Sequence, residues 1–160
     1  MYNAWEKNNP VAIGDSSLLN NGFGAWGETE GIQNIAIGSK AMMTNTAGSS
    51  NTGIGFQVMK MNSTGNQNTA VGSEVLKSNT VGNQNAALGH RALFLNTTGS
   101  SNTAIGAFTL DANTTGSLNV GIGTNALGFN STGNYNVAIG ALPLYNNQVG
   151  SNNIAIGLNA

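Results

Sequence analysis

The sequence predicts an all-β chain, a parallel β-roll or β-solenoid of 17-residue coils, and three observations predict it. First, an apolar residue followed by Gly recurs at Ile37, Ile54, Val71, Leu88, Ile105, Ile122, Ile139 and Ile156, each 17 residues after the last. Such a fixed interval marks a stacked-repeat architecture. Second, with the repeat numbered from its first residue, position 1 is Asn in every copy: Asn34, Asn51, Asn68, Asn85, Asn102, Asn119, Asn136 and Asn153. Position 5 is always Gly, position 12 Asn (Asn45 to Asn147) and position 15 Gly (Gly48 to Gly150). Third, only positions 4 and 9 are large and apolar throughout, position 9 being Met42, Met59, Leu76, Leu93, Leu110, Leu127 and Leu144.

Within a coil, positions 2 to 4 alternate in size, as a short strand does. The aliphatic at position 4 is expected to point inward with that at position 9, forming the core, while Ala or Gly at position 3 points outward. Gly at 5 and 15 is expected at corners with positive φ, and Asn at 1 and 12 at positions that tolerate left-handed geometry. Stacking would line the two Asn columns into amide ladders. Positions 6 to 11 hold helix formers, but six residues are too few for a stable helix, so one helical turn or extended chain both remain open there.

In chain order, residues 1–9 lie outside the repeat, and Tyr2 and Trp5 suit them to a cap or connector. Residues 10–33 form a first coil, with Pro10 in place of Asn and an inserted aromatic loop at about 21–28 that contains Phe23 and Trp26. A loop of this kind is where solenoids often bind, so Phe23 and Trp26, with Tyr2 and Trp5 beside them, are the candidate receptor contacts. Its Gly22–Gly27 stretch spells G-x-G-x-x-G, but no helix follows it and no βαβ unit encloses it, as a dinucleotide site requires. Residues 34–160 comprise seven full coils and a partial eighth, and an edge open in mid-coil implies a longer polypeptide or another element closing it.

Composition narrows the function classes. Only 7% of residues are charged, far below the globular average of about 25%, as in fibrous and solenoid chains. The charge is uneven: residues 1–39 are net negative, and residues 40–91 carry Lys40, Lys60, Lys77 and Arg91 against Glu74 alone. Solvated outer loops account for this band, with anionic surface glycans as the sharper reading. Apolar residues outside the fixed positions gather late, among them Phe94, Phe108, Phe129, Tyr135 and Tyr145, and are expected at contacts between subunits.

No enzymatic chemistry assembles. His90 is the only histidine and has no triad or metal-binding set around it, cysteine is absent, and Glu28 and Glu30 lack an apolar pocket. No cofactor is expected. Five basic residues without a common stripe disfavour nucleic acid, and no apolar stretch is long enough to insert in a membrane. The N-x-S/T triplets at Asn62, Asn96, Asn113 and Asn130 are position 12 of the repeat and need no glycan to explain them.

Each coil orders 17 residues for two or three buried aliphatics, so burial between copies is expected; a threefold bundle would put position 3 near the shared axis. The phrases NTAIG, NVAIG and NIAIG, each followed by x-x-A-L or a close variant, resemble the head repeats of YadA-like trimeric autotransporter adhesins and the related repeats of bacteriophage tail fibres. The resemblance spans roughly residues 10–160. It implies a left-handed parallel β-roll assembled as a homotrimer on a virion tail fibre or an extracellular cell surface. Expected partners are a cell-surface glycan or protein receptor and other fibre or virion components. A phage or phage-like fibre segment for host attachment is the leading expectation, and the head of a bacterial adhesin is the alternative. An ice-binding solenoid stands further off, because position 2 is too irregular for a lattice match.

Overall fold

The computed structural model describes residues 10–24 and 30–160. It is a β-solenoid of nine three-residue strands: β1 (Val11–Ile13), β2 (Ile35–Ile37), β3 (Thr52–Ile54), β4 (Thr69–Val71), β5 (Ala86–Leu88), β6 (Thr103–Ile105), β7 (Val120–Ile122), β8 (Val137–Ile139) and β9 (Ile154–Ile156). They form one parallel sheet in sequence order, and every pairing is in register, as in Thr103↔Val120 and Ile105↔Ile122. Each repeat position therefore becomes a column running the length of the stack. Among the described residues there is no helix, and positions 6 to 11 are turns.

The strand faces the opposite way from the sequence expectation. Position 3 points inward: Ala36, Ala70, Ala104 and Ala138 are fully buried, and Gly53 and Gly121 are buried with them. Position 4 points out, with Ile54 38% and Leu88 50% exposed, so Ile37, Ile54, Val71, Leu88, Ile105, Ile122, Ile139 and Ile156 form a ladder on the outside of the coil. The reason is interior width. Position 9 (Met42, Met59, Leu76, Leu93, Leu110, Leu127) and position 8 (Ala41, Val58, Val75, Ala92, Thr109, Ala126) fill the coil from the opposite wall, leaving room for only a methyl or less on the strand side. At Gly53 an added Cβ would lie 3.0 Å from Met59 Cε and 3.1 Å from Val58 Cγ1. Position 3 is therefore an internal column and cannot line an axis shared between copies.

The turns also differ in detail from expectation. Gly at position 5 does have positive φ, 132° at Gly38, but at position 15 it does not, except for Gly31, which holds that position at the end of the first coil. Position 15 requires Gly for space: a Cβ on Gly48 would stand 2.4 Å from both Asn45 Oδ1 and Gly65 O. Nor are the Asn columns left-handed. Left-handed residues occupy positions 7, 9 and 17, for example Gln57 (φ 51°), Met59 (φ 45°) and Gln67 (φ 57°), at a cost of roughly 1–2 kcal/mol each for an L-residue. Hydrogen bonding explains their place: Gln57 N–H donates back to Ser39 O at 3.0 Å, Met59 N–H forward to Val75 O at 2.9 Å, and Gln67 N–H back to Ser49 O at 3.0 Å. Alternating backbone hand aims successive amides at the coils on either side, so turns as well as strands are bonded along the axis.

Candidate interaction surfaces

Two internal ladders hold the outer surfaces in register. At position 1, Asn102 Oδ1 accepts the N–H of Asn119 at 3.0 Å and its Nδ2 at 3.1 Å, while Asn102 Nδ2 donates to Asn85 Oδ1 at 3.2 Å and to Gly116 O at 2.9 Å. Both amide hydrogens and both oxygen lone pairs are thus used, which no other side chain of this length can do. At position 12, Asn113 Nδ2 donates to Asn96 Oδ1 at 2.8 Å and shares the same Gly116 carbonyl at 2.9 Å. These amides are fully buried or nearly so, and among the described residues no buried side-chain polar atom lacks a partner.

Asn21 starts both ladders. Pro10 supplies no amide at position 1 of the first coil, and Asn21, at position 12 of that coil, takes over: its Oδ1 accepts Asn34 Nδ2 at 3.1 Å and Asn45 Nδ2 at 2.7 Å, and its Nδ2 donates to Gly31 O at 2.7 Å. Asn21 therefore belongs to the coil, and the extra residues of the inserted loop follow it. A third ladder at position 16 escaped the sequence reading. Ser or Asn stands there in every copy, and Asn66 N–H donates to Asn83 Oδ1 at 2.8 Å and Ser100 N–H to Ser117 Oγ at 3.0 Å. The signal was present, but alternation between two residue types made the position look unconstrained.

Two columnar surfaces face solvent. The first is the β-face, where positions 2 and 4 set two apolar columns side by side from Val11 and Ile13 to Ile154 and Ile156. Thr52, Thr69, Thr103 and Ala86 interrupt only the position 2 column. Exposed Leu118 and Tyr135 at position 17 border this face in the later coils.

The second surface is the corner formed by positions 7 and 10. Every charged side chain after residue 30 lies on it: Lys40, Glu74 and Arg91 at position 7, Lys60, Lys77 and Asp111 at position 10. Arg91 reaches Asp111 on the next coil through Nε–Oδ1 at 3.1 Å and Nη2–Oδ2 at 3.2 Å, with its guanidinium 4.0 Å from the Phe94 ring centre and 5.7 Å from that of Phe108. Lys77 pairs with Glu74, and its ammonium lies 5.3 Å from the Phe94 ring centre. The Lys77 hydrogen bond above all holds the Glu74 carboxyl below its ordinary pKa; desolvation opposes it, and the positive charges of Lys77 and Arg91 add to the lowering. His90 packs edge-on against Phe108 with ring centres 5.2 Å apart. Lys40 and Lys60 have no carboxylate partner among the described residues.

Of the candidate receptor contacts, Phe23 is 79% exposed at the start of the inserted loop, while Tyr2, Trp5 and Trp26 lie outside the described residues. The late aromatics divide between surfaces: Phe94, Phe108 and Tyr145 sit at the turn corner with Phe129 next to it at position 11, and Tyr135 lies beside the β-face; the Phe129 and Tyr145 rings are 4.8 Å apart and inclined by 58°. Among the described residues no group of His, Cys, Asp and Glu could hold a metal, and no helix is long and apolar enough to cross a membrane. Compared with models of known families, with curated proteins and with solved structures, the chain matches none. What defines its class is the geometry itself, a parallel β-solenoid with amide ladders inside and two columnar surfaces outside.

Proposed function

We propose that this chain is a segment of a homotrimeric fibre, built of left-handed coils, carried on a phage or phage-like injection device and used for attachment to a host cell surface. The observation that carries the reading is the exposed apolar β-face. Nine strands at about 4.8 Å spacing give a strip roughly 40 Å long, and a contiguous apolar patch of that size is unusual on a monomer in water. Two side chains wide, the strip suits a shared threefold axis better than a broad sheet-on-sheet sandwich. The axis is then lined by positions 2 and 4, in place of the position 3 residues that sequence alone favoured.

The rest of the molecule fits the same use. A rod bonded along its axis at strands, turns and three side-chain ladders supplies reach and stiffness, and the charged corner at positions 7 and 10 and the exposed Phe23 lie outside the strand residues that would be buried. Sedimentation equilibrium on the purified chain tests the assembly: a single species of three times the chain mass is expected. A monomer or a dimer at the highest soluble concentration would overturn it.

A further inference from the structure

The corner of positions 7 and 10 has a chemistry that neither coil formation nor the β-face requires. Other copies of the repeat place Gln57, Asn125, Leu142, Met43, Gly128 and Tyr145 at these two positions, so the coil accepts neutral side chains there. In four consecutive coils it carries a cation instead: Lys40, Lys60, Lys77 and Arg91. In-register stacking spaces these coils at about 4.8 Å, which sets the cations in a staggered file two columns wide, Lys40 and Arg91 at position 7 and Lys60 and Lys77 at position 10. The file has only Glu74 within it and ends at Asp111.

Phenylalanine rings lie within the same file. Phe94 has the Arg91 guanidinium 4.0 Å and the Lys77 ammonium 5.3 Å from its centre, and Phe108 is partly open to solvent beside His90. The Arg91–Asp111 pair shows how this corner receives a carboxylate, through two N–H donors with an aromatic ring alongside. A file of cations calls for a file of anions, and rings beside them call for flat, C–H-rich faces next to each charge.

We propose that this corner binds a linear acidic polysaccharide, with uronate carboxylates taken by Lys40 and Lys60 directly and by Lys77 and Arg91 in exchange for Glu74 and Asp111, and sugar faces laid on Phe108 and on the part of Phe94 that Arg91 leaves open. This names the receptor class for the attachment function above and rests on that reading for its biological setting alone. Charge complementarity selects the polyanion, and the rings favour a sugar chain over an acidic peptide.

The test is titration calorimetry of the purified chain with four polymers at low salt: polygalacturonate, dextran sulfate, poly-L-glutamate and neutral dextran. Polygalacturonate is expected to bind, more weakly as salt rises, and neutral dextran not to bind. The triple variant Lys40→Gln, Lys60→Gln, Arg91→Gln should weaken binding by roughly tenfold or more, and Phe94→Ala should weaken polygalacturonate but not poly-L-glutamate. An unchanged circular dichroism melt, expected because Gln57 already occupies this corner, verifies that the variants fold. No binding of polygalacturonate, or equal binding by the triple variant, overturns the proposal. A preference for dextran sulfate overturns the carboxylate assignment, and poly-L-glutamate binding as tightly as polygalacturonate overturns the sugar assignment. Sedimentation of the same samples separates the two readings: a monomer that binds polygalacturonate removes the trimer and keeps the corner, whereas a trimer that binds nothing does the reverse.

Discussion

At the scale of single residues, the buried amides bear most of the specificity. Asn85 Nδ2 donates to Asn68 Oδ1 at 3.1 Å and Gly99 O at 2.9 Å, and its Oδ1 accepts Asn102 N–H at 3.0 Å and Asn102 Nδ2 at 3.2 Å. Replacing it with Ala leaves the Asn102 N–H and one hydrogen of Asn102 Nδ2 without an acceptor, away from water, while Asn68 Oδ1 keeps the N–H of residue 85 and Asn102 Nδ2 keeps Gly116 O. With each buried orphan costing about 1–3 kcal/mol, Asn85→Ala should lose at least about 2 kcal/mol in urea unfolding. Asn21→Ala removes three bonds where Asn85→Ala removes four, and Asn34 and Asn45 each keep a donor bond to Gly48 O while Asn21 itself is half-buried. Its loss should be about 1 kcal/mol, and hydrogen exchange should quicken only in the first two coils. Equal effects from the two substitutions, or exchange spread through the stack in Asn21→Ala, would contradict the ladder account.

At the scale of the coil, shape is set by how little fits inside. An added Cβ on Gly121 would lie 2.6 Å from Thr109 Cγ2, and Thr109 cannot turn away freely because its hydroxyl donates to Gly123 O at 2.6 Å. Gly121→Ala alone should therefore cost about 1–3 kcal/mol. Added to Thr109→Ala, which makes the space, it should cost less than in the parent, with a coupling of about 0.5–3 kcal/mol in the double-mutant cycle. Additive values would mean that the two side chains do not compete for one volume. The same narrowness marks what sequence could and could not disclose. The 17-residue period, the strands, the absence of room for a helix and the Asn ladders were legible, because each is a statement about recurrence or length. The inward face was not. In a three-residue strand, alternation separates Ile105 from Ala104 but does not say which of them is inside. The rule that large apolar residues go in gave the wrong answer, because Leu110 from the opposite wall already fills the space. The charged corner was legible in part: Asp111 falls at the same repeat position as Lys60 and Lys77. That positions 7 and 10 meet across a left-handed turn appears only in the fold.

At the scale of the whole molecule, two of the functions weighed make opposite demands on one surface. The β-face is in register over nine strands, as an ice-binding array would need, and largely apolar, as an oligomer interface would need. An oligomer buries it in water, while an ice-binder keeps it free. Side-chain chemistry favours burial: the position 4 column is aliphatic without a break, whereas hydroxyls appear at position 2 only in Thr52, Thr69 and Thr103. Association also couples folding to concentration, since a partner that binds only the folded state stabilises it by mass action. The thermal midpoint should therefore rise by several degrees over a hundredfold increase in chain concentration, and thermal hysteresis should be absent at every concentration. Ile122→Lys places a charge within the strip proposed to be buried, on the seventh of nine strands, without touching the coil interior, so it should abolish the concentration dependence while leaving the β-sheet circular dichroism spectrum in place. A midpoint indifferent to concentration in the parent chain, together with measurable hysteresis, would reverse the assignment of this face.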